Sequence, residues 1–175
     1  FAEFTWRHLN FFQHHCSITA KVPRTECPEH GVLRITVPWA REGSRFTLLF
    51  EQVAMMLVRE MPVLAAARII GITDQRLWRI VGHYVSKAVQ RLDLTKVKAI
   101  GLDETAAKRG QTYVTVFIDL DRKHKPVVFV TPGRGKDTVA RFRAFLAEHG
   151  GSPGHIVEVV RDMSGAFLAA VGETF

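Results

Sequence analysis

The spacing of apolar residues changes twice along this chain, and those changes constrain its fold more than any other feature. Over residues 1–38, "SITAKV" (Ser17–Val22) and "VLRITV" (Val32–Val37) alternate as half-buried strands do. The turn-rich "PRTECPEHG" lies between them, so a hairpin of these two runs is expected. "PWAREGSRF", broken by Pro38 and Gly43, reads as an exposed connection.

Between residues 46 and 95 the period becomes helical. "FTLLFEQVAMMLVREM" sets Leu49, Val53, Met56 and Leu57 on one helix face. Pro62 suits the first turn of a second helix, "PVLAAARIIG", which Gly71 ends. Thr73 is placed to cap a third, with Leu77, Ile80, Val81, Tyr84, Val85 and Val89 as its apolar stripe. From 96 to 175 strand and helix signals alternate. Strands are expected at 97–103, 112–119, 126–131 and 155–161. The middle two are joined by the polar turn "DLDRKHK" as a hairpin, and "KDTVARFRAFLAEHG" is a helix closed by Gly150 and Gly151. A further helix starts after Asp162. Three strands, a helix and a strand define an α/β class with a mixed sheet. The chain therefore divides into segments 1–38, 46–95 and 96–175.

Charge follows the same division. Residues 1–98 hold 14 Lys and Arg against 8 Asp and Glu, a balance of +6; residues 99–175 hold 10 against 9, a balance of +1. The first part is built either to meet a polyanion or simply to stay soluble. Two cysteines, Cys16 and Cys27, make no disulfide framework, which points to a reducing compartment. No apolar run reaches the length of about 18 residues that spans a bilayer, and no signal peptide is visible. The chain begins at Phe1 and stops at Phe175 without a recognisable ending, so a fragment open at both ends is expected.

Three constellations carry chemistry. "CPEHG" sets Cys27 and His30 three positions apart on a turn, where both can grip one tetrahedral Zn²⁺. A structural zinc site takes four ligands. Cys16, His14 and His15 are candidates for the rest, as is a second pair upstream of Phe1; an incidental surface turn is the plainer alternative. "PVLAAARIIGITDQRLWRIV" has the form of a helix-turn-helix, with small Ala66 and Ala67 at the crossing and Gly71 in the turn. Its second helix offers Gln75, Arg76 and Arg79 to base edges and phosphates in a major groove. The alternative is an ordinary helical hairpin with a solvated basic face.

The third constellation is acidic. Asp103 ends one strand and Asp162 another, and sites in open α/β sheets gather beyond strand carboxyl ends. Two neighbouring carboxylates repel unless a cation joins them. Mg²⁺ suits such oxygen ligands, and two ions about 4 Å apart serve phosphodiester chemistry. The simpler readings make Asp162 a helix cap and Asp103 a turn residue. Glu104, next in the strand, faces the other way. Asp119 and Asp121 flank a hairpin turn. Lys108, Arg109 and Arg134 sit in expected loops, either on DNA phosphate or solvated. His83 is expected at the helix surface or on its edge, and Trp6, Trp39 and Trp78 in packing roles.

Taken in order, "CPEHG", "FTLLFE", "AAARIIGITDQRLWRIV", "GLDE", "YVTVFIDLDR" and "VVRDMSGAF" resemble bacterial insertion-sequence transposases of the ISL3 family. That resemblance implies a zinc-ribbon-like N-terminus, a helix-turn-helix, and the first part of an RNase H-like domain with a DDE triad. It makes Asp103 and Asp162 the first two acids, binding Mg²⁺ or Mn²⁺, and Cys27 with His30 the later half of a structural Zn²⁺ site. The third acid has no counterpart, since Glu173 stands only eleven residues past Asp162; the piece as given is expected to be inactive. Implied partners are double-stranded DNA, both element termini and target, and further copies of the protein. The implied setting is the bacterial cytoplasm, at the nucleoid. The rival expectation is a non-catalytic helix-turn-helix regulator with an α/β domain, and a third is a nuclease that cuts without joining.

Overall fold

The computed structural model describes residues 1–108 and 112–161. The chain divides into two compact units, Phe1–Lys87 and Ala88–Phe175.

The first unit opens with β1 (Ala2–Arg7) and β2 (Ser17–Val22), an antiparallel pair in register from Ala2 opposite Val22 to Arg7 opposite Ser17. Alternation turns Trp6 and Val22 inward onto Ala40, with Trp39 edge-on to Trp6 at 5.6 Å. A second hairpin joins β3 (Arg24–Cys27) to β4 (Gly31–Arg34), Cys27 opposite Gly31. The expected hairpin of "SITAKV" with "VLRITV" is thus corrected. "SITAKV" pairs with the N-terminal strand instead, and the supposed link contains a strand of its own. The aromatic Phe4 and Trp6 of β1 supply the apolar partners that β2 needs, whereas every residue of β4 is exposed.

Three helices follow. Thr47 caps α1 (Leu48–Glu60) by accepting the Phe50 N–H, and Phe46 stacks on Phe50 at 4.8 Å. The buried face of α1 is Phe50, Glu51 and Ala54. Of the expected stripe, Val53 and Leu57 are half-buried, but Leu49 and Met56 are exposed. The true face lies one residue round, because Phe50 offers the largest apolar area. The α2 helix (Val63–Ile70) ends on Gly71 at φ 69°, ψ 40°, a left-handed conformation that disfavours a side chain. The α3 helix (Asp74–Gln90) begins with the Arg76 N–H on the Thr73 hydroxyl, as a cap requires.

Ala66, Ala67, Leu77 and Ile80 are buried with Phe46, Phe50, Ala54 and Ile70 in one cluster. The stripe of α3 fades after Tyr84, since Val85 and Val89 are exposed. Trp78, expected in packing, is 57% exposed. "PWAREGSRF" is more than a connection, for Ala40, Ser44 and Phe46 are buried.

The second unit is a four-stranded sheet in the order β7-β6-β5-β8. Here β5 is Ala99–Lys108, β6 Thr112–Asp119, β7 Val127–Pro132 and β8 Glu158–Arg161. The first three are antiparallel, and β8 returns parallel to β5. The α4 helix (Lys136–Glu148) lies between β7 and β8 in sequence, as a parallel return needs a crossover. It buries Val139, Phe142 and Leu146 against Ile100, Leu102 and Phe117, with Phe117 stacked on Phe142 at 4.3 Å. The expected mixed α/β arrangement is present. However, β5 runs five residues past Asp103, and Lys108 pairs with Thr112 in the strand rather than lying in a loop.

Gly150, at φ 79°, and Gly151 turn the chain after α4. A Cβ on Gly151 would overlap the Leu146 side chain and stand 2.9 Å from the Leu94 carbonyl oxygen. Gly151→Ala is therefore expected to destabilise this unit by about 1–3 kcal/mol, as overpacking does. Denaturant unfolding of the variant beside the parent chain checks it.

Candidate functional site

The turn from α2 into α3 fixes the presented face of the first unit. Burial of Leu77 and Ile80 forces Gln75, Arg76, Trp78 and Arg79 outward, and all four are exposed. No carboxylate pairs with Arg76 or Arg79 among the described residues. Both arginines line a cavity of about 330 Å³ with Arg7, Arg41 and Arg45. These three were not singled out from the sequence. Arg41 and Arg45 stand four apart in the same short run, a detectable signal, but Arg7 arrives from β1, which no local pattern reveals.

One buried acid positions part of this surface. Glu51 is wholly buried. It accepts from Arg41 Nε at 2.9 Å, the Ser44 hydroxyl at 2.7 Å and the Tyr84 hydroxyl at 2.8 Å. Burial, and then the hydrogen bond to Glu51, pushes the Tyr84 phenol up to about 12 from 10.0. His83 beside it is half-buried, as a residue on the helix edge is, and its Nε2 has no hydrogen-bond partner among the described residues. Burial, then the Arg41 and Lys87 charges, lowers its pKa.

In the second unit Asp103 lies opposite Val116, exposed, its Oδ1 accepting the Glu104 N–H at 2.8 Å. Leu102 pairs with Arg161, the last described pair of β5 with β8. Asp103 therefore does not end its strand. It stands one residue beyond the last described parallel pair, on the face opposite the buried Leu102. Asp162, like Arg109, lies outside the described residues. Glu104, opposite Thr115, is half-buried.

Asp119 and Asp121 are fasteners. Asp119 is buried, accepts the Asp121 and Arg122 N–H groups, and has Arg122 Nε 2.9 Å from its second oxygen. Asp121 accepts from the Lys98 and Ala99 N–H groups, which lower its pKa. Arg134 is exposed, with its guanidinium 4.5 Å from the Tyr113 ring centre.

Cys27 Sγ and His30 Nδ1 come within 3.4 Å on the β3–β4 turn, a separation that two ligands of one tetrahedral ion can adopt. Cys16, His14 and His15 do not complete the set. Among the described residues no three His, Cys, Asp or Glu side chains gather at one candidate metal site.

In this chain a helix-turn-helix with a cationic outer face is followed by a mixed α/β sheet that carries an exposed acid. Comparison with known proteins supplies the family. Residues 35–85 match the model of the helix-turn-helix domain of transposase family ISL3, and residues 100–175 match the transposase model of the same family. The chain belongs to the ISL3 family of transposases. It is 31% identical over 142 residues to the transposase for insertion sequence element IS1557 of Mycobacterium tuberculosis, covering 78% of this chain and 31% of the relative. It is 25% identical over 162 residues to the transposase for insertion sequence element IS1001 of Bordetella parapertussis, covering 92% of this chain and 39% of the relative. The chain thus spans about a third of the length of the relatives it matches. No described helix is long and apolar enough to cross a membrane.

The Tyr84 shift has a testable sign. A phenol whose pKa is higher folded than unfolded stabilises the fold fully below about pH 10 and loses that contribution as pH rises through about 12. The unfolding midpoint is expected to fall across that window, and Tyr84→Phe to remove that part of the fall. A pH series of thermal melts checks both.

Proposed function

We propose that this chain is the DNA-binding part and the beginning of the catalytic part of an insertion-sequence transposase. It divides into a partial zinc-ribbon-like segment (1–38), a helix-turn-helix segment (46–95) and the start of an RNase H-like domain (96–175). One observation carries the reading: a cationic α3 face and the exposed Asp103, beside the parallel β5–β8 pairing, occur in one chain of this family. The strand order β7-β6-β5-β8, with three antiparallel strands, a helix and a parallel return, supports the RNase H-like assignment.

Gln75 can read a base edge bidentately, while Arg76 and Arg79 take phosphate or guanine. Asp103 is the first catalytic acid and Asp162 the second. The pairing of Leu102 with Arg161 supports their partnership, since each acid directly follows one member of that pair. A rigid strand holds the Asp103 carboxylate in solvent, where a hard cation and phosphate have access. Magnesium or manganese, when bound, supplies activation of the attacking oxygen and stabilisation of the leaving one. The substrates are duplex DNA at element ends and the target, and the products joined strands. Cys27 and His30 contribute half of a structural zinc site. Joining two ends calls for more than one copy on DNA, in the bacterial cytoplasm at the nucleoid.

Two expected outcomes test this. In the full-length protein, Asp103→Asn and Asp162→Asn each lower metal-dependent nicking of element-end duplex by more than about 100-fold, beyond the loss usual for outer-shell groups. Nicking that survives either change defeats the assignment. Separately, Gln75→Ala costs about 1–3 kcal/mol on element-end DNA and little on unrelated duplex, whereas Arg79→Ala weakens both and reduces the salt slope by about one. Competition binding at several salt concentrations separates the two roles.

A further inference from the structure

Arg76 and Arg79 share their cavity with three arginines from outside the two helices, and this juxtaposition needs a ligand. Arg7 comes from β1, and Arg41 and Arg45 from the segment before α1. Among the described residues no carboxylate residue lines the cavity. Glu51, buried behind Arg41, neutralises that one guanidinium. The remaining four have no ion-pair partner among the described residues.

Two of the four are oriented without being neutralised. Arg7 donates to the Cys16 carbonyl at 3.1 Å and to Asn10, with its guanidinium 5.9 Å from the Phe50 ring centre. Arg45 lies 5.6 Å from the Phe4 ring centre. Such contacts hold a guanidinium in place while leaving its charge uncompensated. Arginines lining one cavity without counter-charges offer an anion several donors. Guanidinium geometry matches phosphate oxygens in particular.

We infer that this cavity is a phosphodiester-binding pocket, in which the lining arginines, Arg7 and Arg45 among them, hold a DNA backbone phosphate beside the bases met by α3. The inference rests on the DNA-binding reading above and extends it. The footprint reaches beyond the helix-turn-helix, and the β1 strand and the 41–45 segment set the register of α3 on the duplex. Phosphate contacts position a protein and leave the base contacts to specify. The pocket therefore contributes affinity on any sequence.

The test uses the whole chain, a mixed-sequence 30-base-pair duplex, and inorganic phosphate as the competing anion. Each lost phosphate contact lowers the slope of log affinity against log salt by about 0.9. Arg45→Gln is expected to lower the slope by about that amount, with a several-fold loss of affinity on any sequence, and Arg45→Lys to restore most of the slope. Arg59→Gln, an equal charge change at an exposed position on α1 away from the cavity, is expected to leave the slope unchanged. A readout free of substitutions accompanies it: arginine-directed dicarbonyl labelling of the parent chain, in which duplex protects Arg7 and Arg45 but not Arg59. Equal slopes for Arg45→Gln and Arg59→Gln, or unprotected Arg45, overturn the pocket while leaving DNA binding by α3 standing. A parent chain that binds no duplex at any salt defeats the DNA-binding reading and the pocket with it. Thermal stabilisation by phosphate over chloride at equal ionic strength, abolished in Arg45→Gln with an unchanged DNA slope, shows a free-anion site and also overturns the proposal.

Discussion

A carboxylate buried without donors would cost more than this small unit can spare, and the arrangement of the first unit answers that constraint at Glu51. Its three donors come from two separate stretches of chain: Arg41 and Ser44 from the segment before α1, and Tyr84 from α3. Glu51 therefore ties the segment carrying Arg41 and Arg45 to α1 and to the helix carrying Arg76 and Arg79. The cationic surface depends on this tie. If the acid were lost, Arg41 would be left partly buried without its counter-charge, and the segment would be held by its backbone bonds to β1 and by the burial of Ala40 and Phe46 alone.

The second unit is governed by strand register. Ile100 and Leu102 must face α4 to join Phe117 and Phe142, and pleating then obliges Asp103 to face the other way. A slip of one residue would bury the acid and expose the core. The same apolar packing that stabilises the sheet thus aims the carboxylate. The parallel return of β8 ends its described pairing at Leu102 with Arg161, beside that acid.

Much of this was legible in the sequence. Helical periodicity, Gly71 and Thr73 located the helix-turn-helix, and burial of Leu77 and Ile80 follows from their spacing. Strand alternation located Thr112–Asp119 within the sheet. Errors arose where pairing depends on distant chain. "SITAKV" found its partner at the N-terminus because Trp6 and Phe4 offered apolar cover that "VLRITV" lacked. The face of α1 was misjudged at Leu49 and Met56 because several apolar residues crowd that helix, and only the position of Phe46 selects Phe50 as the inward one. The packing role expected of Trp78 follows its residue type, whereas the spacing of Leu77 and Ile80 already turns it outward.

The sequence by itself determined the order of modules, the family motifs, the cationic first half and the candidacy of Asp103, Gln75, Arg76 and Arg79. Those properties are local, written in spacing and residue type. Only the tertiary structure decided that Arg7, Arg41 and Arg45 join Arg76 and Arg79 around one cavity, and that Glu51 is the buried acid behind them. It also decided that Asp103 sits within a strand rather than at its end. The physical reason is common to all three. Which distant groups meet is set by long-range burial and hydrogen-bond satisfaction, and no window of neighbouring residues carries that information.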